Sequence, residues 1–211
     1  MCVTLCHLEA YCHLEAYCHP CLKDKITVKI MAECLSWHDT FIYMAKLISL
    51  RSKDPRTKVG ACIVDDMNRI IGLGYNGMPR GCEGFSWQRV PESPLDDKHM
   101  YVVHAEHNAI LNSNRHNFAG CKMFVTLHPC NECAKHIIQA GIREVYYLPA
   151  TEPGRQEELL AKPEIVGAQR LFAAANVVCR QILPEKNWLY MRPVALPMSA
   201  DTSLSYCGDH C

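Results

Sequence analysis

Residues 104–142 read HAEHNAILNSNRHNFAGCKMFVTLHPCNECAKHIIQAGI, and this stretch decides the fold. His104 to Asn114 reads as a helix. Cys121 to Leu127 (CKMFVTL) is a short apolar run of the kind that forms a buried strand, and residues 130 to 140 form a second helix with Gly141 as its C-terminal cap. The strand returns the chain from the end of one helix to the start of the next, so two helix N-termini point to one place. His104, Cys130 and Cys133 lie at those starts. One imidazole and two thiolates give Zn²⁺ three protein ligands and leave its fourth tetrahedral position for water, the arrangement of catalytic rather than structural zinc. Pro129 suits a first helical turn because it has no N–H to leave unsatisfied, and cysteines three apart then share one face of that turn. The positive ends of the two helix dipoles favour thiolates. Glu106, in the same turn as His104, is the expected general acid and base.

Working outward, Ser36 can cap a helix in which Phe41, Ala45 and Ile48 recur at helical spacing, and Arg51 to Pro55 supplies the stop. Val59 to Asp65 (VGACIVD) and Arg69 to Tyr75 (RIIGLGY) read as two strands joined through Asp66-Met67-Asn68, a hairpin. Residues 76 to 98 are rich in Gly, Pro, Asp and Ser, and a loop this long inside a compact domain is expected to be functional. Downstream of Gly141 the pattern gives a strand at 143–148, a helix at 165–175 and a strand at 177–183. A hairpin followed by alternating helices and strands implies a mixed, largely parallel sheet covered on both faces.

The 211 residues can bury one sizeable core. Formal net charge is zero, which argues against a nucleic-acid substrate, since binding a polyanion ordinarily takes a basic face. No run of about 18 apolar residues occurs, and the first twenty residues lack the charge and apolar pattern of an export signal, so a cytoplasmic protein without a membrane span is expected. The fourteen cysteines are then read as reduced thiols, two of them on zinc. Residues 1 to 30 carry a tandem CHLEAY repeat followed by CHPC, with few large aliphatic residues. They are expected to be a disordered leader, dispensable for folding and deamination, with an accessory metal site on Cys6, Cys12, Cys18, Cys21 and the interleaved histidines as the alternative. Residues 36 to 192 are expected to form the domain and 193 to 211 a flexible tail, whose Cys207, His210 and Cys211 could touch a metal.

Four segments together resemble the deoxycytidylate (dCMP) deaminases over Trp37 to Leu183: RSKDPRTKVGACIV (51–64), GLGYNGMPRG (72–81), HAEHNAI (104–110) and TLHPCNECAKHIIQAGI (126–142). The H-x-E and P-C-x-x-C halves are the known signature of zinc nucleobase deaminases at large; the first two segments are narrower. The resemblance implies a three-layer α/β/α sandwich of the cytidine-deaminase type on a mixed five-stranded sheet. It also implies Zn²⁺ as cofactor and hydrolysis of dCMP to dUMP, the precursor of thymidylate. Arg51, Lys53, Lys58 and Arg80 are its candidates for phosphate contacts, Asn76 for the deoxyribose, and the Asn76-Gly77 turn for backbone N–H groups at a triphosphate effector site. An oligomer, often a hexamer, activated by dCTP and inhibited by dTTP, also follows from it. His107 stands where the family pattern leads one to expect Leu, and is expected to pack locally, one turn below His104. A zinc deaminase acting on a nucleoside or an RNA base, and a non-enzymatic zinc module, are the alternatives; the last would have no use for Glu106.

Overall fold

Ser36 caps the first helix as its sequence predicts. In the computed structural model, which describes residues 35–184 apart from 151 and 153, the Ser36 hydroxyl accepts a hydrogen bond from Asp39 N at 3.0 Å, and α1 runs over Trp37–Ser49. The expectations for the 1–30 leader, and for the tail with Cys207, His210 and Cys211, lie outside the described residues. α1 buries Phe41, Ile42 and Ala45, one stripe of a 3.6-residue period.

The hairpin forms as read, with β1 (Gly60–Val64) antiparallel to β2 (Ile70–Tyr75). Asp65 shapes its turn: Oδ1 accepts from Met67 N at 3.1 Å and Arg69 N at 2.9 Å, while Asn68 takes the left-handed conformation that Asn tolerates. β3 (Lys122–Val125), β4 (Glu144–Tyr147) and β5 (Val178–Gln181) complete a five-stranded sheet of order β2-β1-β3-β4-β5. β1 is antiparallel to both of its neighbours, whereas β3–β4 and β4–β5 are parallel. The sheet is therefore mixed in equal parts rather than largely parallel, because the hairpin inserts β1 beside β3.

Helices cover both faces. α1 packs on one, against Cys62, Val64, Phe124 and Tyr146. α2 (Ala105–Leu111), α3 (Asn131–Ala140) and α5 (Pro163–Ala174) cover the other, where Ala109, Ile137 and Phe172 meet Ile63, Met123, Val125 and Val145. Alternate residues of β1 and β3 thus enter different layers, and β1 is buried along its whole length, as expected of a strand covered on both sides. Burying each such large apolar side chain contributes about 1.5–3 kcal/mol. The result is the α/β/α sandwich that the resemblance implies.

Two glycines set how closely α2 approaches the sheet. A β-carbon on Gly74 would overlap Ala109 N and Ala105 O of α2, and one on Gly72 would overlap Ala109 O. The α2 backbone lies directly on β2, a distance that no side chain larger than hydrogen allows. Gly141 ends α3 with φ 95°, the left-handed cap read from the sequence.

Several elements differ from expectation: α2 ends at Leu111 rather than Asn114, and β5 covers only Val178–Gln181 of the expected 177–183. A short helix, α4 (Arg155–Leu160), follows Gly154; it buries no residue and so carries no apolar period to find. α5 begins at Pro163 rather than 165, since proline is well suited to the first helical turn. Among the described residues no helix is long and apolar enough to cross a membrane.

Candidate active site

The start of β1, the end of β2 and the ends of β3, β4 and β5 lie at one edge of the sheet, and the chemistry-bearing residues gather there. This is where an open α/β sheet ordinarily binds its ligand. His104 is the N-cap residue of α2 and Cys130 that of α3, while Cys133 is buried in the first turn of α3. His104 Nδ1 lies 3.4 Å from Cys130 Sγ and 3.3 Å from Cys133 Sγ. The ligand atoms of all three residues fall within 4.8 Å of one another. One nitrogen and two sulfur donors clustered at two helix N-termini fit zinc.

Before a metal binds, the trio shares protons among itself. The Cys133 thiol hydrogen-bonds to Cys130 and, despite the opposing effect of burial, helps His104 hold the Cys130 thiol down to about 4. His104 is pushed up to about 8, chiefly by its hydrogen bond to Cys130. Cys133 rises well above the usual thiol range, first through its bond to Cys130 and then through burial. A cation must displace the protons on His104 and Cys133, so zinc affinity should fall as pH drops below about 8, the value to which His104 is raised. Chelator competition at pH 6 and pH 8 measures this, and equal affinities would contradict it. Cys130→Ser should lower metal content and turnover together.

Glu106 is 4% exposed and sits in the first turn of α2, within hydrogen-bond reach of the Cys133 thiol. Burial raises its carboxyl above the ordinary value, a shift toward the neutral range in which a group can both take and give a proton. The turn before α3 is braced from behind: the His128 Nδ1–H donates to Pro129 O at 2.8 Å, and the ring packs edge-on against Tyr147. His107 stacks on His136 of α3, ring centroids 4.1 Å apart, the local packing expected of it.

The predicted nucleotide contacts divide. Arg51, Lys53 and Lys58, between α1 and β1, and Arg80 in the long loop are exposed and make no ion pair among the described residues. The loop lies near the first group: the Glu83 carboxyl is held below its ordinary value first by the backbone N–H groups of Glu83 and Gly81, and then by Lys53. Asn76, by contrast, is buried with its amide engaged. Oδ1 accepts from Val59 N at 2.8 Å, and Nδ2 donates to Thr57 O at 3.0 Å and Asp54 Oδ2 at 3.3 Å. Free N–H groups at the Asn76-Gly77 turn are not found. Asn76 N donates to Val59 O, because the hairpin pairing continues one step past the strands, and Gly77 N donates to Val103 O in a separate antiparallel bridge. Sequence reading passed over Asp54 and Lys98, buried beside Asn76 and paired at 2.5 Å. The one available signal was the Asp-Pro-x-Thr turn at 54–57, whose aspartate caps its own backbone.

A family model described as the cytidine and deoxycytidylate deaminase zinc-binding region matches residues 35–149, which include the whole trio and Glu106. The chain belongs to the cytidine and deoxycytidylate deaminase family. It is 44% identical over 163 residues to the deoxycytidylate deaminase of Homo sapiens, across 76% of this chain and 88% of that one. It is 46% identical over 161 residues to the probable deoxycytidylate deaminase of Drosophila melanogaster, across 73% and 76%. Among solved structures it is similar to the dCMP deaminase of the cyanophage S-TIM5 in complex with dCMP and dUMP. The TM-score is 0.51 and the identity 28%, covering 68% of this chain and 95% of the phage chain. This deaminase is therefore an enzyme with zinc as its cofactor, and its fold is that of its relatives.

Proposed function

We propose that this deaminase hydrolyses dCMP to dUMP and ammonia, with His104, Cys130 and Cys133 holding zinc and Glu106 carrying the protons. The observation that carries this reading is a buried carboxylate touching a His/Cys/Cys donor set at the edge of the sheet. When bound, zinc supplies the Lewis acidity that makes water a nucleophile at neutral pH. The Glu106 carboxylate takes a proton from that water as its oxygen adds to C4 of the pyrimidine, and delivers it to N3. Glu106 then takes the remaining proton from the hydroxyl now on C4 and passes it to the amino group, which leaves as ammonia as the C4–N bond breaks and the C4 hydroxyl becomes the carbonyl of dUMP. The names of the relatives support dCMP as substrate. So do the exposed cations Arg51, Lys53, Lys58 and Arg80, which make no ion pair among the described residues and which a 5'-phosphate would engage and a free nucleoside would not. Asn76 and Gly77 form the fixed base of the loop that carries Arg80. Ammonia release from dCMP, deoxycytidine, dCTP and a tRNA anticodon stem, run in parallel, tests the substrate. dCMP should give the highest kcat/KM, and faster turnover of the nucleoside or the RNA would overturn the reading.

In the same proposal the enzyme works in the cytoplasm as a homo-oligomer, a hexamer, and supplies dUMP for thymidylate synthesis under activation by dCTP and inhibition by dTTP. Zero net charge supports a small nucleotide rather than a nucleic acid as its partner. For dCTP to activate, it must bind the active state more tightly, and a coupling of about 1–3 kcal/mol suffices. Rate against dCMP should be sigmoidal without dCTP and closer to hyperbolic with it, while dTTP does the reverse. Hyperbolic kinetics unmoved by either triphosphate, in protein shown to be oligomeric, would remove the regulatory part.

A further inference from the structure

Asp54 is 2% exposed and Lys98 is 6% exposed, and they lie 44 residues apart in the chain. Every acceptor position on the Asp54 carboxylate is in use. Oδ1 takes Arg56 N at 2.9 Å and Thr57 N at 3.1 Å, which folds the segment bearing Lys58 into a turn. Oδ2 takes Asn76 Nδ2 at 3.3 Å and Lys98 Nζ at 2.5 Å. Burial alone would raise the Asp54 carboxyl, but these hydrogen bonds, Lys98 foremost, hold it below its ordinary value.

Lys98 belongs to a short 3-10 turn, Lys98–Met100, near the end of the long loop. Its backbone is committed on both sides: Lys98 N donates to Gln88 O, and Lys98 O accepts from Tyr101 N and Val102 N. Val103 then exchanges two hydrogen bonds with Gly77, and His104 follows directly. Ser52 Oγ closes the circuit by donating to Asn76 O at 2.8 Å. One carboxylate therefore joins the segment before β1, the residue after β2 and the far end of the loop.

A buried ion pair is seldom more stabilising than apolar side chains of the same size, and its best-attested use is to fix one register among several. The loop needs such a device, because among the described residues between Gly77 and Val103 it has no helix longer than the 3-10 turn and no strand of its own. We propose that Asp54 and Lys98 are a positioning pair, locking the 77–103 loop to the 51–58 segment so that the cations of both converge on the substrate phosphate. This rests on the proposed dCMP reading. The pair touches neither the metal trio nor Glu106, so it governs affinity for the nucleotide rather than the chemical step.

The test uses the zinc-loaded full chain and the variants Lys98→Met and Asp54→Asn, with Lys98→Gln, which keeps a donor to Asp54, should the methionine variant not fold. Each should raise KM for dCMP about 10-fold or more, with kcat within about threefold of wild type, the pattern of lost uniform binding. Zinc content should remain at the wild-type level, the double variant Asp54→Asn/Lys98→Met should be no worse than either single, and kcat/KM for deoxycytidine should change less than that for dCMP. A fall in kcat at unchanged KM, equal losses on nucleotide and nucleoside, loss of zinc, or no change in any variant would each overturn the proposal. Wild-type turnover of dCMP, measured in the same series, reports separately on the substrate assignment.

Discussion

Glu106→Gln should retain zinc and lose about 10²–10⁴ of the wild-type kcat, the range in which a positioned proton carrier contributes to an enzymatic rate. Glutamine matches glutamate in size, and residue 106 is not one of the three clustered metal donors, so α2 and the metal trio should keep their arrangement. It cannot take a proton from water or hand one to N3. Metal analysis and single-turnover ammonia release, made on the same preparation, separate the two effects. Substantial turnover in this variant would sink the mechanism, whereas loss of zinc along with activity would make Glu106 part of the metal cradle instead.

Gly74→Val should be the most damaging single change to the fold, at more than about 4 kcal/mol, because what it displaces is backbone rather than a yielding side chain. The added atoms meet Ala109 N and Ala105 O, and α2 cannot lift away without carrying His104 off its two sulfur partners. Stability by urea midpoint and metal content should fall together. Gly84→Ala is the control: nothing lies within 4 Å of its β-carbon, and the change should stay within about 0.5 kcal/mol of wild type. A normal midpoint for the valine variant would mean that α2 does not depend on this contact.

What could be read from the sequence was chemistry that limits residue type. Zinc admits few donors, so His104, Cys130 and Cys133 stood out although 26 and 29 residues separate the histidine from the cysteines. The hairpin was equally legible, because its turn and its alternation are local. α4 was not, since a six-residue helix with no buried side chain leaves no period. The sense of the β1–β3 pairing was missed for another reason: it depends on where the hairpin docks, which no local pattern encodes. Asp54 and Lys98 look like two ordinary surface charges among many, and only burial reveals them as partners. Asn76 shows the converse. A residue in a recognisable motif proved to have its amide committed to its neighbours.

The donors His104 and Cys130 stand at helix starts, and α2 is pressed backbone to backbone on the sheet, while Arg51, Lys53, Lys58 and Arg80 ride on exposed connecting segments. Heritable change therefore meets two very different tolerances in one protein. A change beneath the helices meets packed backbone, whereas the exposed positions of the rim, the buried Asp54 and Lys98 apart, can vary without touching the reactive centre. A lineage built this way can acquire a taste for new nucleotides while its reaction stays the same, and directed evolution toward altered substrates should find its first successes in residues 51–58 and 77–103.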